Sequence, residues 1–231
     1  SNINLLGTNF SATKIFDANS DGLPDILVTG YSTAYVPETK LYINQGNGQF
    51  TSHNSSLNPV YFSSIDTADI NGDGHLDILL SGMSDTFEPI LHAYLNDGAA
   101  HFAPIGSSFL GTYYGSSRFI DYNNDGLPDI FTMGSNADGD NKLALYKNNG
   151  DGTFSQDVTN AAPLNPLTMS RALCFDYDND GDTDLFIMGY EDNDLAKSIL
   201  YTNNSVQDCT PVFQYNADSN MITHVTFGTI N

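Results

Sequence analysis

Basic residues are scarce in this 231-residue sequence, which has 7 Lys and Arg against 28 Asp and Glu and a formal net charge of −21. Binding to nucleic-acid phosphates or to an anionic membrane requires clustered basic side chains, so the composition argues against both partners. No apolar run approaches the roughly 20 residues that a membrane-spanning helix needs, which argues against membrane insertion. No charged segment followed by an apolar one opens the chain, so we expect a mature form or an internal fragment.

Cysteine and glutamate are scarce as well. Cys174 and Cys209 allow at most one disulfide. The position of Cys174 favours a core thiol, and a Cys174–Cys209 disulfide is the alternative. The acidic residues comprise 25 Asp but only 3 Glu. A surface that is acidic merely for solubility would use both kinds of carboxylate, so the preference for the shorter side chain indicates that geometry places these acids.

The acidic residues recur in an internal repeat. Nine-residue segments with a common pattern begin at Asp17, Asp69, Asp121 and Asp176, at spacings of 52, 52 and 55 residues. A glycine follows each first Asp by 13 residues, a tyrosine by 25 and an asparagine by 27, and an apolar residue precedes it by 7. In chain order these are Gly30, Gly82, Gly134 and Gly189; Tyr42, Tyr94, Tyr146 and Tyr201; Asn44, Asn96, Asn148 and Asn203; and Phe10, Phe62, Tyr114 and Met169. Offsets kept in every copy indicate a repeated structural unit of about 50 residues.

Each copy predicts four β-strands. One strand precedes the acidic segment, and a short apolar run follows the segment and ends at the repeated glycine. A third strand ends at the Tyr-x-Asn position, before a turn rich in Gly and Asn that is typical of hairpins. The fourth opens at Phe50, Phe102, Phe154 or Phe213. Four strands in about 50 residues are typical of a propeller blade, so we predict an all-β fold, a β-propeller of four-stranded antiparallel blades.

The repeats divide the chain into units at approximately 10–61, 62–113, 114–168 and 169–220. Residues 1–9 and 221–231 are then partial flanking strands, and the whole of 1–231 is a single β-propeller domain or part of one. An open propeller has an unpaired strand edge. We therefore expect further blades from a longer chain, or a second copy of this chain in a homo-oligomer, to cover that edge.

The acidic segments have the pattern of a calcium-binding loop. Oxygen-bearing side chains stand at positions 1, 3, 5 and 9, and a glycine at position 6 allows a sharp turn. Ca²⁺ takes about 6–8 oxygen ligands, whereas Mg²⁺ demands stricter octahedral geometry with retained water, so Ca²⁺ fits better. An EF-hand loop begins alike but needs a Glu at position 12 and flanking helices. Here position 12 is Val28, Leu80, Thr132 or Ile187.

Four such loops predict about four Ca²⁺ ions. The predicted side-chain ligands are Asp17, Asn19, Asp21 and Asp25; Asp69, Asn71, Asp73 and Asp77; Asp121, Asn123, Asp125 and Asp129; and Asp176, Asp178, Asp180 and Asp184. Position 7 would complete each site through its backbone carbonyl: Leu23, His75, Leu127 and Asp182. The alternative is that these residues only form turns between strands. We favour calcium, because the clustered carboxylates would repel one another strongly without a cation.

The loop, the apolar strand after it and the aromatic segment before it, as in Tyr114-Gly-Ser-Ser117 and Phe62-Ser-Ser64, resemble the FG-GAP/VCBS repeats, which are related to the calcium-binding blades of integrin α-subunit propellers. The resemblance covers essentially the whole chain. Two features depart from the family: the Gly-Ala-Pro tripeptide is absent, and the usual glycine after the first aromatic residue is present only as Gly115. The resemblance implies that the Ca²⁺ ions are structural. Since related propellers usually have seven or eight blades, it also implies that the four repeats form about half of a ring.

The favoured function is a calcium-stabilised, extracellular recognition module without catalytic activity, lectin-like or adhesion-like, that binds a glycan or a protein ligand. Millimolar extracellular calcium suits such loops better than cytosolic calcium does. The candidate ligand contacts are aromatic residues that do not repeat and that follow the second strand of a unit: Tyr31, Tyr35, Phe87 and Tyr190. The repeated tyrosines are expected in blade packing instead.

Two other functions stay open. A polysaccharide-processing enzyme of the lyase kind also fits a calcium-bearing propeller. An acidic substrate would need clustered Arg or Lys and a Tyr or His base, however, and Arg118 and Arg171 are the only arginines. No nucleophile elbow or catalytic cysteine context is present, and the histidines form no zinc spacing, so we lean against an enzyme. The third function is that of a purely architectural domain of a larger surface protein.

Overall fold

The computed structural model describes residues 5–203 and the strand at 209–216. Within them, sixteen strands form four antiparallel sheets of four strands each. The first sheet comprises β1 (Thr8–Phe16), β2 (Asp25–Ser32), β3 (Pro37–Asn44) and β4 (Phe50–His53), and the second β5 (Tyr61–Ala68), β6 (Asp77–Met83), β7 (Pro89–Asn96) and β8 (Phe102–Pro104). The third comprises β9 (Tyr113–Ile120), β10 (Asp129–Ser135), β11 (Asn141–Asn148) and β12 (Phe154–Gln156), and the fourth β13 (Thr168–Phe175), β14 (Asp184–Tyr190), β15 (Ala196–Asn203) and β16 (Cys209–Asn216). The predicted all-β fold of four-stranded antiparallel blades is confirmed.

Each sheet is a meander in which successive strands are neighbours. The acidic loop joins the first strand to the second at one end of the sheet, and the hairpin between the second and third strands lies at the opposite end. The first strands β1, β5, β9 and β13 contact one another in sequence, so they form the inner edge of the arrangement. The sheets follow one another as propeller blades do, and within the described residues they do not close into a ring.

Apolar layers between consecutive sheets hold the blades together. Strand side chains alternate between the two faces of a sheet. In β6, Ile78 and Leu80 pack in the layer shared with the first sheet, whereas Leu79 packs in the layer shared with the third. All three are 0% exposed. Burying one such side chain contributes roughly 1.5–3 kcal/mol, and the alternation makes each inner sheet part of two layers.

Each first strand contains a β-bulge near its start. The pairing of β1 with β2 shifts between Asn9 and Ala12, and the other three first strands shift at the corresponding place. The repeated glycine of the second strand lies under this bulge: a Cβ on Gly134, whose φ is +154°, would stand 2.7 Å from the carbonyl oxygen of Tyr113. The bulge leaves no room for a side chain, so the second strand requires glycine at this position. From the sequence alone we interpreted this glycine only as the end of a strand.

The repeated tyrosine is buried in three of its four copies, since Tyr94, Tyr146 and Tyr201 are at most 5% exposed. In all four copies the tyrosine hydroxyl accepts a hydrogen bond from a backbone amide 36 residues earlier. The bond from Leu110 to Tyr146, for example, is 2.7 Å long. The tyrosine thus fixes the segment that enters its own blade.

The fourth sheet excludes a disulfide between Cys174 and Cys209. Cys174 lies in β13 and Cys209 in β16, the two outer strands of that sheet. Neighbouring strands are about 4.8 Å apart, so three strand spacings place the two Cα atoms about 14 Å apart. A disulfide needs Cα atoms within about 7 Å of each other.

Several boundaries differ from the predicted ones. Residues 8 and 9, which we placed before the first repeat, are the first residues of β1. Strand β16 begins at Cys209 rather than at Phe213. One helical turn, α1 (Val158–Ala161), was not predicted; the Asp157 side chain caps it by accepting hydrogen bonds from the amides of Thr159 and Asn160. The predicted flanking strand at 221–231 lies outside the described residues.

Candidate metal centres

The four acidic loops lie at the same end of their sheets, and each contains two residues with left-handed backbone, at positions 4 and 6. Position 6 is the predicted glycine, with φ between +83° and +96°. Position 4, with φ between +56° and +74°, is Ser20, Gly72, Asn124 or Asn179. Gly and Asn tolerate this region best. The Gly or Asn at position 4 of three loops therefore indicates a left-handed residue there, which we did not predict from the sequence.

The loop backbone orders the carboxylates. In the first loop Asp17 accepts hydrogen bonds from the amides of Asp21 (3.1 Å) and Gly22 (2.7 Å). The Asp21 carboxylate accepts one from the amide of Leu23 at 2.8 Å. The same bonds recur in the other three loops. Each carboxylate oxygen keeps a second lone pair, which a cation can use.

The aspartates at position 9 are the buried members of the loops. Asp25, Asp77, Asp129 and Asp184 are 0% exposed. Each accepts a hydrogen bond from the backbone amide of the repeated asparagine in its own blade, as from Asn96 to Asp77 at 2.8 Å. Throughout the described ranges, none of the four pairs with a basic side chain.

These buried carboxylates are electrostatically unfavourable without a cation. Burial raises the pKa of Asp77 to about 6 and that of Asp129 to about 7, and it also raises the pKa of Asp25. Repulsion by the carboxylates at positions 1 and 5 of the same loop adds to each rise in pKa. Asp129 Oδ2 is buried and makes no hydrogen bond of standard geometry in the described part of the chain, although the backbone amide of Tyr122 faces this carboxyl and lowers its pKa. A bound cation would favour the charged form of each group.

The fourth loop brings three predicted ligands close together. One carboxylate oxygen from each of Asp176, Asp178 and Asp184 lies within 4.8 Å of the other two. In the other loops position 3 is an asparagine, which offers a neutral oxygen instead. A donor set made only of oxygen atoms suits Ca²⁺. Among the described residues this is the one group of three acidic side chains placed so closely. The side chains at positions 1, 3 and 9 of the fourth loop therefore fit a calcium ion. Its position 5, its backbone carbonyl at position 7 and the ligand sets of the other three loops stay predictions.

The repeated asparagine ties each loop to the next blade, a role that the sequence analysis did not assign. Asn96 Nδ2 donates to the carbonyl oxygen of Ala18, at position 2 of the preceding loop, and to that of Leu76 in its own blade. Asn148 and Asn203 make the same pairs of bonds. Within the described residues the Asn44 side chain, in the first sheet, bonds only its own blade: it donates to the carbonyl oxygen of Pro24 and accepts from the amide of Gly46. The loops are therefore part of the contact between blades.

Two pairs of neighbouring loops also touch directly. Ser20 Oγ of the first loop lies 2.8 Å from His75 Nδ1 of the second. Asn124 of the third loop donates to the Asp182 carboxylate of the fourth. The residues at position 7 thus use their side chains to contact the preceding loop. This arrangement leaves their carbonyl groups for the predicted metal.

The candidate ligand contacts lie at the opposite end of the sheets. Tyr35 and Phe87 stand at the tips of the hairpins after β2 and β6, are 80% and 72% exposed, and have φ near +60°. Tyr31 is half-buried and its ring lies 4.9 Å from that of Tyr61 and 6.5 Å from that of Tyr35. Tyr190 ends β14 and is 42% exposed. The rings of Tyr31 and Tyr35 come together; in the described part of the chain, Phe87 and Tyr190 join no ring contact.

The guanidinium of Arg118 forms hydrogen bonds within the protein. Its Nε donates to the carbonyl of Ala172 in β13, and its Nη1 donates to Ser64 Oγ in β5 and to its neighbour Ser117. It thereby ties three consecutive first strands together. A lyase would therefore have only Arg171, of the two arginines, to neutralise an acidic substrate during catalysis.

Comparison with known proteins places these features in a family. The model of the FG-GAP-like repeat matches residues 17–80 and 121–187. T-cell immunomodulatory proteins of Rattus norvegicus, Mus musculus and Homo sapiens are 28%, 27% and 26% identical to this chain, over 81%, 81% and 86% of it. The chain spans only 36%, 36% and 32% of those relatives. The part of the chain that the structure describes contains no helix with the length and hydrophobicity of a transmembrane segment. The chain belongs to the family of FG-GAP-like repeat proteins.

Proposed function

We propose that this chain is a calcium-stabilised, non-catalytic recognition module that works outside the cell. One observation carries the proposal: every acidic loop buries a carboxylate at position 9 that has no basic partner among the described residues. The family supports an extracellular, adhesion-like setting. The names of the relatives describe immune modulation, an activity compatible with recognition of another molecule.

Calcium would act through the contacts between blades. When bound, the ion supplies positive charge that offsets the repulsion among the loop carboxylates. The position-9 aspartate then stays ionised and keeps its hydrogen bonds from two amides, those of Ala18 and Asn44 in the first blade. Because Asn96 binds the carbonyl of Ala18, ordering of this loop also orders the junction with the second blade.

Calcium titration followed by thermal unfolding tests this proposal. Native mass spectrometry should count about four ions on the chain, one for each loop. Ligand binding to the folded state alone stabilises by about 2.7 kcal/mol per site at a free concentration of 100 times Kd. We therefore expect millimolar Ca²⁺ to raise the melting temperature by many degrees over EDTA, and equal Mg²⁺ to raise it much less. Identical melting curves in Ca²⁺ and EDTA would refute the proposal.

Recognition would use the end of the sheets opposite the loops. Tyr35 and Phe87 project there, and exposed aromatic side chains are enriched where proteins bind ligands. A glycan array and a screen of extracellular proteins, each performed with and without calcium, test this part. Binding that requires calcium and decreases in a Tyr35→Ser, Phe87→Ser double variant would support it. Binding to nothing in either screen would favour the architectural function instead.

The unclosed series of sheets suggests that other blades complete the propeller. Four sheets in series leave the ring open within the described residues. We propose that further blades of a longer chain, or a second copy of this one, continue the series at its two ends and leave the inner edge uncovered. Light scattering after size-exclusion chromatography distinguishes a monomer from a dimer of this chain, and a strict monomer would leave only the longer chain.

A further inference from the structure

A cavity of about 480 Å³ opens at the inner edge of the sheets, at the end away from the acidic loops. Its wall includes Phe10, Phe62, Tyr114 and Met169, which occupy the same place in the four repeats, together with Ser63 and Arg171. We call this cavity the aromatic bowl. Tyr114 lies seven strand residues from Asp121, so at about 3.3 Å per residue the acidic loops are roughly 20 Å away.

The backbone of the bowl is strained in all four repeats. Phe10, Phe62, Tyr114 and Met169 have φ of +52°, +49°, +51° and +46°. Bulky side chains rarely adopt this left-handed region, and residues held there cluster at ligand-binding sites. The bulges of the first strands impose it, and they bring the aromatic rings together. The ring centroid of Phe62 lies 4.4 Å from that of Phe10 and 3.8 Å from that of Tyr114.

The apolar wall of the bowl remains accessible. Phe10 is 58% and Met169 63% exposed, although both are large apolar side chains. A concave surface of this size with apolar walls and a few polar groups is typical of a small-ligand site. The wall therefore suits a guest that presents an apolar face.

Arg171 gives the bowl a charge preference. Every lysine within the described ranges forms an ion pair with an acidic side chain, and Arg118 is bonded to three strands. Arg171 is exposed and forms no salt bridge in the part of the chain that the structure describes; its Nη1 donates to the carbonyl of Ser170 at 3.0 Å. In a chain of net charge −21, a guanidinium without an acidic partner favours a ligand that carries a carboxylate. It disfavours a cationic one.

We propose that the aromatic bowl binds a sugar ring that bears a carboxylate, such as a uronic acid. The apolar face of the ring would lie on Phe10, Phe62 and Tyr114, and the carboxylate would pair with Arg171. A compact ring fits better than an acidic peptide, because an extended peptide adds to a continuous strand edge and the bulges interrupt that edge here. This inference adds a site to the proposed recognition function, separate from Tyr35 and Phe87, and rests on that function.

Methyl glucuronide and methyl glucoside provide a matched pair of probes, since they differ only at the carboxylate. Isothermal titration and saturation-transfer NMR on the calcium-loaded chain should show glucuronide binding that is at least about tenfold tighter than glucoside binding, the range of one charge-assisted hydrogen-bonded pair. Equal affinities for the two probes would overturn the inference.

Variants of Arg171 locate the binding. Arg171→Gln should reduce glucuronide affinity about tenfold or more, to the level of the glucoside, and Arg171→Lys should retain part of the difference. The control is Lys142→Gln, which makes the same change of charge at a half-exposed residue of the third sheet. It should change neither affinity. Phe10→Ala should weaken both probes. A melting temperature within the range of the parent chain checks that each variant is folded.

The outcomes separate this inference from the proposed function. Glycan binding that shows no carboxylate preference, or that is unchanged in Arg171→Gln, overturns the inference and leaves the recognition module standing. Binding of an acidic peptide through Arg171, without binding of glucuronide, replaces the sugar by a peptide. Absence of binding to any glycan or protein removes both the inference and the proposed function.

Discussion

The side-chain amide of Asn96 donates a hydrogen bond to the carbonyl oxygen of Ala18, 2.9 Å away, across the boundary between the first two sheets. The backbone amide of Asn96 donates to the buried carboxylate of Asp77. One residue therefore joins the acidic loop of its own blade to the loop of the preceding blade. Loop order and blade packing are coupled through it.

Substituting this asparagine should destabilise the junction. Asn96→Ala removes the bonds to Ala18 and Leu76 and leaves buried carbonyl groups unsatisfied, so the free energy of unfolding should fall by about 2–3 kcal/mol. The matched control is Asn44→Ala, at the same repeat position, since among the described residues the Asn44 side chain bonds only within its own blade. Urea unfolding in calcium measures both variants. Equal losses would show that the contact between blades contributes nothing.

The effect of Asp129→Asn on stability should be opposite in sign without and with calcium. Without the ion, the substitution removes a buried charge whose pKa burial has raised to about 7, so we expect stability at neutral pH to rise by about 1–2 kcal/mol. With millimolar calcium, the variant should lose the stabilisation by the third ion and melt below the parent chain. Differential scanning fluorimetry in EDTA and in calcium gives both comparisons.

The control for Asp129→Asn is Asp138→Asn, which makes the same change of net charge in an exposed hairpin. It should shift the melting temperature slightly and equally in EDTA and in calcium. An Asp129→Asn variant that is destabilised equally in EDTA and in calcium would assign this carboxylate to hydrogen bonding alone and would remove it from the calcium ligands.

The bulge makes the repeated glycine irreplaceable. Gly134→Ala would place a Cβ 2.7 Å from the carbonyl oxygen of Tyr113 and 2.9 Å from the Cα of Gly115. Both contacts are with backbone, which cannot move aside, so we expect a loss of about 2–4 kcal/mol. Gly139→Ala is the control, because Gly139 also has positive φ but no atom within 4 Å of the new Cβ. Its loss should be about 1 kcal/mol, and chemical denaturation that finds equal losses would contradict the bulge argument.

The sequence predicted the features that repeat as residue types. Four aspartates in register, each followed by a glycine and a Tyr-x-Asn segment, were sufficient to predict the strands and the acidic loops between them. The bond from Asn96 to the preceding blade was not predictable. Its acceptor is the backbone carbonyl of Ala18, which every residue type has, so the residue type at position 18 does not indicate the bond. The bulges were missed for a different reason. Aromatic residues normally avoid positive φ, so Phe62 and Tyr114 indicated ordinary strand residues.

Tyr35 is expected to be retained for binding rather than for stability. It is 80% exposed and has φ of +60°, a conformation that asparagine tolerates far better than tyrosine. Tyr35→Asn should therefore leave the free energy of unfolding unchanged or raise it by about 0.5–1 kcal/mol, while ligand binding in the glycan and protein screens declines. Asp194→Asn, at the corresponding hairpin position with φ of +61°, is the control and should change neither property. A clear loss of stability in Tyr35→Asn would instead assign the ring to packing against Tyr31.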